Sequence, residues 1–126
     1  MKKITASEKA NSIAYFASDK KGEDIVLMDM RKVSAVADWF VLVSVGSSRQ
    51  INAISKNIQK ELAKTQIRPL HVEGRHNLYW VLLDYEDVIV HVFTKETRDF
   101  YGLERLWADA PRKRFNDECV IKTSRK

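Results

Sequence analysis

The sequence predicts an α/β (α+β) fold in which a single mixed β-sheet of about five strands packs against helices. Three observations lead there. Apolar residues recur at helical spacing in separate segments near the N-terminus, the middle and the end of the chain. Between those segments lie short runs dense in β-branched and aromatic residues, EDIVLMDMR, DWFVLVSV and the pair within WVLLDYEDVIVHVF. No fixed-period repeat, low-complexity tract or linker interrupts the alternation, so residues 1–111 read as one domain followed by a basic tail, 112–126.

The first helix is expected over about Thr5 to Lys20, with Ala10, Ile13, Ala14, Phe16 and Ala17 on its apolar side, Thr5 or Ser7 as N-cap, and Gly22 as its stop. Ile25 to Met28 form an apolar run without polar alternation, as a strand buried on both faces requires. Asp38 to Val45 make a second central strand ending at Gly46. Ser47 and Gln50 have the spacing of a capping box, and Ile51, Ile54, Ile58 and Leu62 then form the buried stripe of a helix whose wetter faces carry Lys56, Gln59, Lys60 and Lys64. A short strand from Leu70 to Glu73 follows Pro69 and belongs near a sheet edge.

Asn77 to Tyr85 and Val88 to Thr94 form a hairpin around a turn at Glu86-Asp87. Period two then assigns faces. Tyr79, Val81, Leu83 and Tyr85 join Val88, Val90, Val92 and Thr94 on the core face, while the opposite face pairs Trp80 with Phe93, Leu82 with His91, and Asp84 with Ile89. A last helix is expected from Glu96 or Thr97 to about Ala110, stopped by Pro111, with Phe100, Leu103, Leu106 and Trp107 as its apolar stripe and Gly102 inside it.

Composition limits the function. With 44% hydrophobic and 31% charged residues, the 126-residue chain suits a globular domain with its own core. One cysteine, Cys119, excludes an internal disulfide and a cysteine-based zinc cage, and points to a reducing compartment. No apolar run has transmembrane length, and the Lys pair of MKKITASEKANS is not followed by an apolar signal core, so a cytoplasmic protein without membrane contact is expected. Residues 112–126 hold six Lys and Arg against Asp117 and Glu118, which places most of the net charge of +5 in the tail. Such a tail reads first as a solvated terminus, with a weak, salt-dependent rRNA contact as its alternative role.

Catalytic chemistry finds little support. Gly46-Ser47-Ser48 before a helix resembles the entry of a nucleotidyltransferase, but Asp29 and Asp38 are isolated and the paired carboxylates that metal-dependent transfer needs are missing. His71, His76 and His91 lack ligand spacing, and Cys119 lacks a local base, so no catalytic residue, metal or cofactor is assigned.

The block ADWFVLVSVGSSRQINAI, the HVEG of His71 to Gly74, and WVLLDYEDVIVHVF with RDFYGLERLW resemble, in order and spacing over about a hundred residues, the ribosomal silencing factor family, also called RsfS or Iojap. Trp39 stands where that family usually has tyrosine, and Glu86 where its turn usually has glycine. The resemblance implies a nucleotidyltransferase-like topology reused for binding by a non-enzymatic factor. It implies docking on the large ribosomal subunit through ribosomal protein L fourteen, a steric block to the small subunit, and repression of translation under nutrient limitation or in stationary phase. Organellar relatives suggest large-subunit assembly as the alternative, and a nucleotidyltransferase-like enzyme is the more distant one. The expected contact residues are Trp80, Leu82, Asp84, His91 and Arg98, with Tyr85 and Tyr101 outside them. Monomer and homodimer both remain open.

Overall fold

Thr5 starts the first helix in the computed structural model, which describes residues 4–74 and 79–115. Its hydroxyl accepts the Glu8 N–H at 3.1 Å and the Glu8 carboxylate accepts the Thr5 N–H at 2.9 Å, so Thr5 is the N-cap and the box is reciprocal. This helix, α1 (Ala6–Asp19), buries Ala10, Ile13, Ala14 and Ala17. Gly22 then admits a close approach: a Cβ there would lie 2.7 Å from a Val43 methyl and 2.9 Å from the Ala17 carbonyl oxygen.

Strands β1 (Glu23–Asp29) and β2 (Trp39–Val45) pair antiparallel, and helix α2 (Ser48–Ala63) follows β2. Ile51, Ile54, Ile58 and Leu62 of α2 are buried as their spacing predicts. The expected capping box at Ser47 does not form. Ser47 has N-cap backbone angles but its side chain makes no cap bond; Gln50 instead reaches one residue further back and accepts the Gly46 N–H at 3.1 Å.

Strands β3 (His71–Glu73), β4 (Trp80–Asp84), β5 (Val88–Thr94) and, after two short helices, β6 (Arg112–Arg114) complete a six-stranded mixed sheet in the order β3-β4-β5-β2-β1-β6. Among the described strands only the central β2 and β5 run parallel. The hairpin has the expected register, with Trp80 opposite Phe93, Leu82 opposite His91 and Asp84 opposite Ile89. Tyr79 departs from the expected core face. It stands one residue before the β4 ladder, 61% exposed, with its carbonyl accepting the Thr94 N–H. Asn77 and Leu78, expected in the same strand, lie outside the described residues.

At the turn, the Asp87 N–H donates to the Tyr85 carbonyl around Glu86, whose φ is 77°, and the Tyr85 N–H donates to the Val88 carbonyl. This γ-type turn keeps a two-residue loop although glutamate occupies a conformation suited to glycine. The Asp84 carboxylate accepts the Glu86 N–H at 2.8 Å, and Lys9 reaches Asp87 at 2.7 Å from α1.

The expected final helix is two helices, α3 (Lys95–Tyr101) and α4 (Leu103–Leu106). Gly102 between them is left-handed, with φ 55° and ψ 48°, which redirects the chain as an ordinary helical residue would not. The predicted stripe therefore splits. Leu103 and Trp107 pack against the sheet, whereas Phe100 and Leu106 are 79% and 69% exposed. Beyond Pro111, Arg112–Arg114 pair with β1, so the expected tail begins as an edge strand, and Phe115 packs against the α1–α2 core. Residues 116–126, with Cys119, lie outside the described residues, whereas Arg112, Lys113 and Arg114, which carry most of the tail's net charge, lie in the edge strand.

The sheet separates two apolar layers. Ile25, Leu27, Val41, Val43, Val81, Leu83, Val90 and Val92 pack with α1 and α2 on one side. Val26, Met28, Phe40, Leu42, Ile89 and Phe93 pack on the other, beneath Leu103 and Trp107.

Two substitutions probe these backbone features. Glu86→Gly relieves the positive φ and raises stability in urea unfolding by about 1 kcal/mol, offset in part by the looser unfolded chain; an unchanged or lower midpoint would contradict the turn geometry. Gly22→Ala, forced against Val43 and the Ala17 carbonyl, lowers stability by about 1–3 kcal/mol in the same measurement.

Candidate functional site

The two sheet faces are covered unequally. Helices α1 and α2 close one face, while α3 and α4 cover the other only as far as β5, leaving Trp80 and Leu82 of β4 half-buried at the margin. Alternation along β3 puts His71 and Glu73, both exposed, on this open face beside Asp84 and Leu82.

An aromatic row crosses the margin. The Trp80 ring lies 5.6 Å from Phe93, which is fully buried, and 4.8 Å from Tyr101, which is 55% exposed; Tyr101 in turn meets Phe100 edge-on at 5.0 Å. The row thus runs from the core to solvent. Its outer end is the last turn of α3, which stops at Gly102 with Phe100 and Tyr101 on the solvent side. Sequence spacing assigned Phe100 to the interior; the glycine inside the pattern was the signal that could have corrected it.

His91 lies beneath Trp80. It is 5% exposed and its Nδ1 accepts the Trp80 indole N–H at 3.2 Å, which assigns the ring hydrogen to Nε2. Among the described residues Nε2 has no partner, and burial pushes the imidazole pKa down to about 4, so the ring is neutral at ordinary pH. His91 therefore braces Trp80 and does not itself reach the surface.

Arg98, expected at the contact, is also interior, 7% exposed. Its guanidinium donates from Nε and Nη2 to the two Glu104 carboxylate oxygens, each at 3.0 Å, and from Nη1 to the Asp24 carbonyl at 2.6 Å and the Ser44 hydroxyl at 2.8 Å. It also lies 5.8 Å from the Phe93 ring centre. One side chain thus joins α3, α4, β1 and β2 across the Gly102 corner, and its hydrogen bonds hold the Glu104 carboxyl below the usual carboxylate range. A short-range reading of sequence sees a cation after a strand and has no means of seeing these acceptors.

Tyr85 is corrected most clearly. It is 2% exposed on the side covered by α1, and burial pushes its phenol up to about 12, so it takes no part in the open face. Asp84 is half-buried on the open face, with its carboxylate engaged by the Glu86 N–H. Trp80, Leu82, Asp84 and Tyr101 therefore share one surface, His91 and Arg98 support it from below, and Tyr85 lies behind the sheet.

Asp29 and Asp38 lie at the start of β2, at the opposite end of the strand from Gly46 and Ser47. Asp29 is held by Arg31 at 2.6 Å, which lowers its pKa to about 2, and the Asp38 backbone N–H donates to the Asp87 carbonyl. Among the described residues no group of three or more His, Cys, Asp or Glu side chains is arranged to hold a metal ion, and no helix is long and apolar enough to cross a membrane.

The buried imidazole sets a pH dependence. Because the folded pKa lies below the unfolded one, the unfolded chain binds a proton that the folded chain refuses between about pH 6.5 and about 4, and stability falls as pH drops through that window. The loss approaches about 3 kcal/mol at its limit. Urea unfolding from pH 7 to 4 should show this slope, and His91→Gln, which keeps an acceptor for Trp80, should flatten it; equal slopes for both proteins would exclude His91 as the source.

Comparison with known proteins places the chain in a family. The family model described as "Ribosomal silencing factor during starvation" matches residues 3–126. A ribosomal silencing factor RsfS of Bacillus subtilis is 43% identical over 98 residues, 78% of this chain and 83% of that protein. Among solved structures, a protein from Chromobacterium violaceum superposes with a TM-score of 0.80 at 30% identity, covering 83% of this chain and 88% of its own. One from Bacillus halodurans gives a TM-score of 0.71 at 34% identity, covering 82% and 95%. With a family model spanning nearly its whole length and relatives alike in sequence and fold, the chain belongs to the ribosomal silencing factor (RsfS) family.

Proposed function

We propose that this protein represses translation in the cytoplasm by docking on the large ribosomal subunit through ribosomal protein L fourteen and standing where the small subunit must bind. The observation that carries the reading is the aromatic row on the open face: Trp80, half-buried and fixed by its bond to His91, flanked by the exposed rings of Tyr101 and Phe100. A rigid, partly desolvated tryptophan with exposed aromatic neighbours and polar residues around it has the make-up of a binding hot spot. His71, Glu73 and Asp84 supply the polar rim. The action asked of the protein is affinity and bulk, which a small domain with one well-ordered face supplies without a chemical step.

Sucrose-gradient sedimentation of purified subunits tests the reading. The protein should travel with the large subunit and reduce joined ribosomes, and immobilised L fourteen alone should retain it. Trp80→Ala should weaken retention by about thirtyfold or more, as truncation of a hot-spot residue does, and Tyr101→Ala by less. Tyr85→Phe should leave retention unchanged, since the Tyr85 hydroxyl is on the α1 side and has no partner among the described residues. Full retention of a folded Trp80→Ala protein would reject the docking face, and failure to bind L fourteen would reject the partner.

A further inference from the structure

The outer face of α2 is unlike the docking face and lies on the other side of the sheet. Arg49, Lys56 and Lys60 are spaced so that they fall on one side of the helix, along about 16 Å of its axis. All are exposed and, among the described residues, none meets a carboxylate, whereas Lys9, Lys64, Lys95 and Arg114 are each paired with an acid. Glu61, the only acid on α2, is engaged by Lys64. The helix thus keeps a row of unneutralised cations.

Beside that row is a cavity of about 250 Å³ between α2 and strands β3 and β4. Val72 and Val81 form its apolar wall, and Asn52, Ser55, Lys56 and Gln59 line the helix side. The Gln59 amide nitrogen is held by the Ser55 hydroxyl at 3.1 Å and the Ser55 carbonyl at 3.3 Å, which leaves its oxygen as an acceptor; the exposed Asn52 amide offers both a donor and an acceptor. A planar ring with hydrogen-bonding edges fits an apolar slot rimmed by amides, and phosphates fit the adjoining cations. A carboxylate-rich peptide would satisfy the cations but leave the slot without an occupant.

We infer that this α2 face binds single-stranded RNA, with successive phosphates on Arg49, Lys56 and Lys60 and one unstacked base in the cavity walled by Val72 and Val81. The site is separate from the open face of β4, so the two surfaces engage different partners. Duplex RNA is disfavoured because its bases are not available to the slot.

Fluorescence anisotropy of the full chain with a labelled twelve-nucleotide single-stranded RNA of mixed sequence tests this without ribosomes, so the outcome is independent of docking on the large subunit. Binding should be salt-dependent, and the triple variant Arg49→Gln, Lys56→Gln, Lys60→Gln should weaken it at least tenfold and reduce the log-log salt slope by about 2, as loss of three single-strand phosphate contacts requires. Asn52→Trp, which places a bulky side chain over the cavity mouth, should weaken binding while leaving the salt slope unchanged. Trp80→Ala should bind RNA like the parent chain. The inference is overturned if the triple variant binds as tightly as the parent, if binding is instead lost on neutralising Lys122, Arg125 and Lys126, or if duplex RNA or polyglutamate competes as well as single-stranded RNA. Circular dichroism of each variant identifies any that fail to fold; for such a variant the single substitutions Lys56→Gln and Lys60→Gln replace the triple, each expected to lower the slope by about 0.7.

Discussion

Strands β2 and β5 run side by side in parallel, and nearly every residue in them is buried. A strand apolar on both faces is stable only when both are covered, so this central pair imposes the layers of the domain. Helices α1 and α2 close one side with aliphatic contacts spread over five strands' worth of alternate residues. The other side receives the short, bent α3–α4 segment and the connection carrying Met30, Val33 and Ala37. Unequal cover leaves β4 at the boundary between interior and solvent, and the face proposed for docking is that boundary.

The bent segment depends on polar contacts more than on area. Arg98 satisfies oxygens from β1, β2 and α4 at once, and its buried charge is matched by Glu104 just past the left-handed Gly102. Removing one partner of such a network strands a buried charge, which is costlier than the pair is stabilising. Gly102 sets the bend and Arg98 fixes it. Together they turn Leu103 and Trp107 inward, while Phe100 and Tyr101, on α3 before the bend, stay exposed.

His91 plays a quieter part. A neutral imidazole beneath Trp80 accepts the indole hydrogen and fills the space between Phe40, Phe93 and the tryptophan. The indole is thereby held in one orientation before any partner arrives, which lowers the entropy cost of binding. Histidine achieves this only while uncharged, and the apolar surroundings ensure that it is.

The central strands, the stripe of α2, the Thr5 start and the hairpin register were all legible in the sequence, because each rests on local periodicity, a cap or a short turn. Parity places Trp80, Leu82 and Asp84 on one face and Tyr85 on the other, which separates Tyr85 from the rest of the expected contact. The family resemblance, too, was carried by motifs in order along the chain. What local pattern could not decide was the fate of Arg98, Phe100 and residues 112–114. A buried arginine is recognised only by acceptors that come from distant segments, a helix is broken at Gly102 only if the chain beyond it gains a packed position, and a basic stretch becomes a strand only where β1 offers an open edge. Sequence determined the elements and their faces, since those follow from neighbours within a few residues. The tertiary structure alone decided which side chains are surface and which are support, because exposure depends on what the rest of the chain places above them.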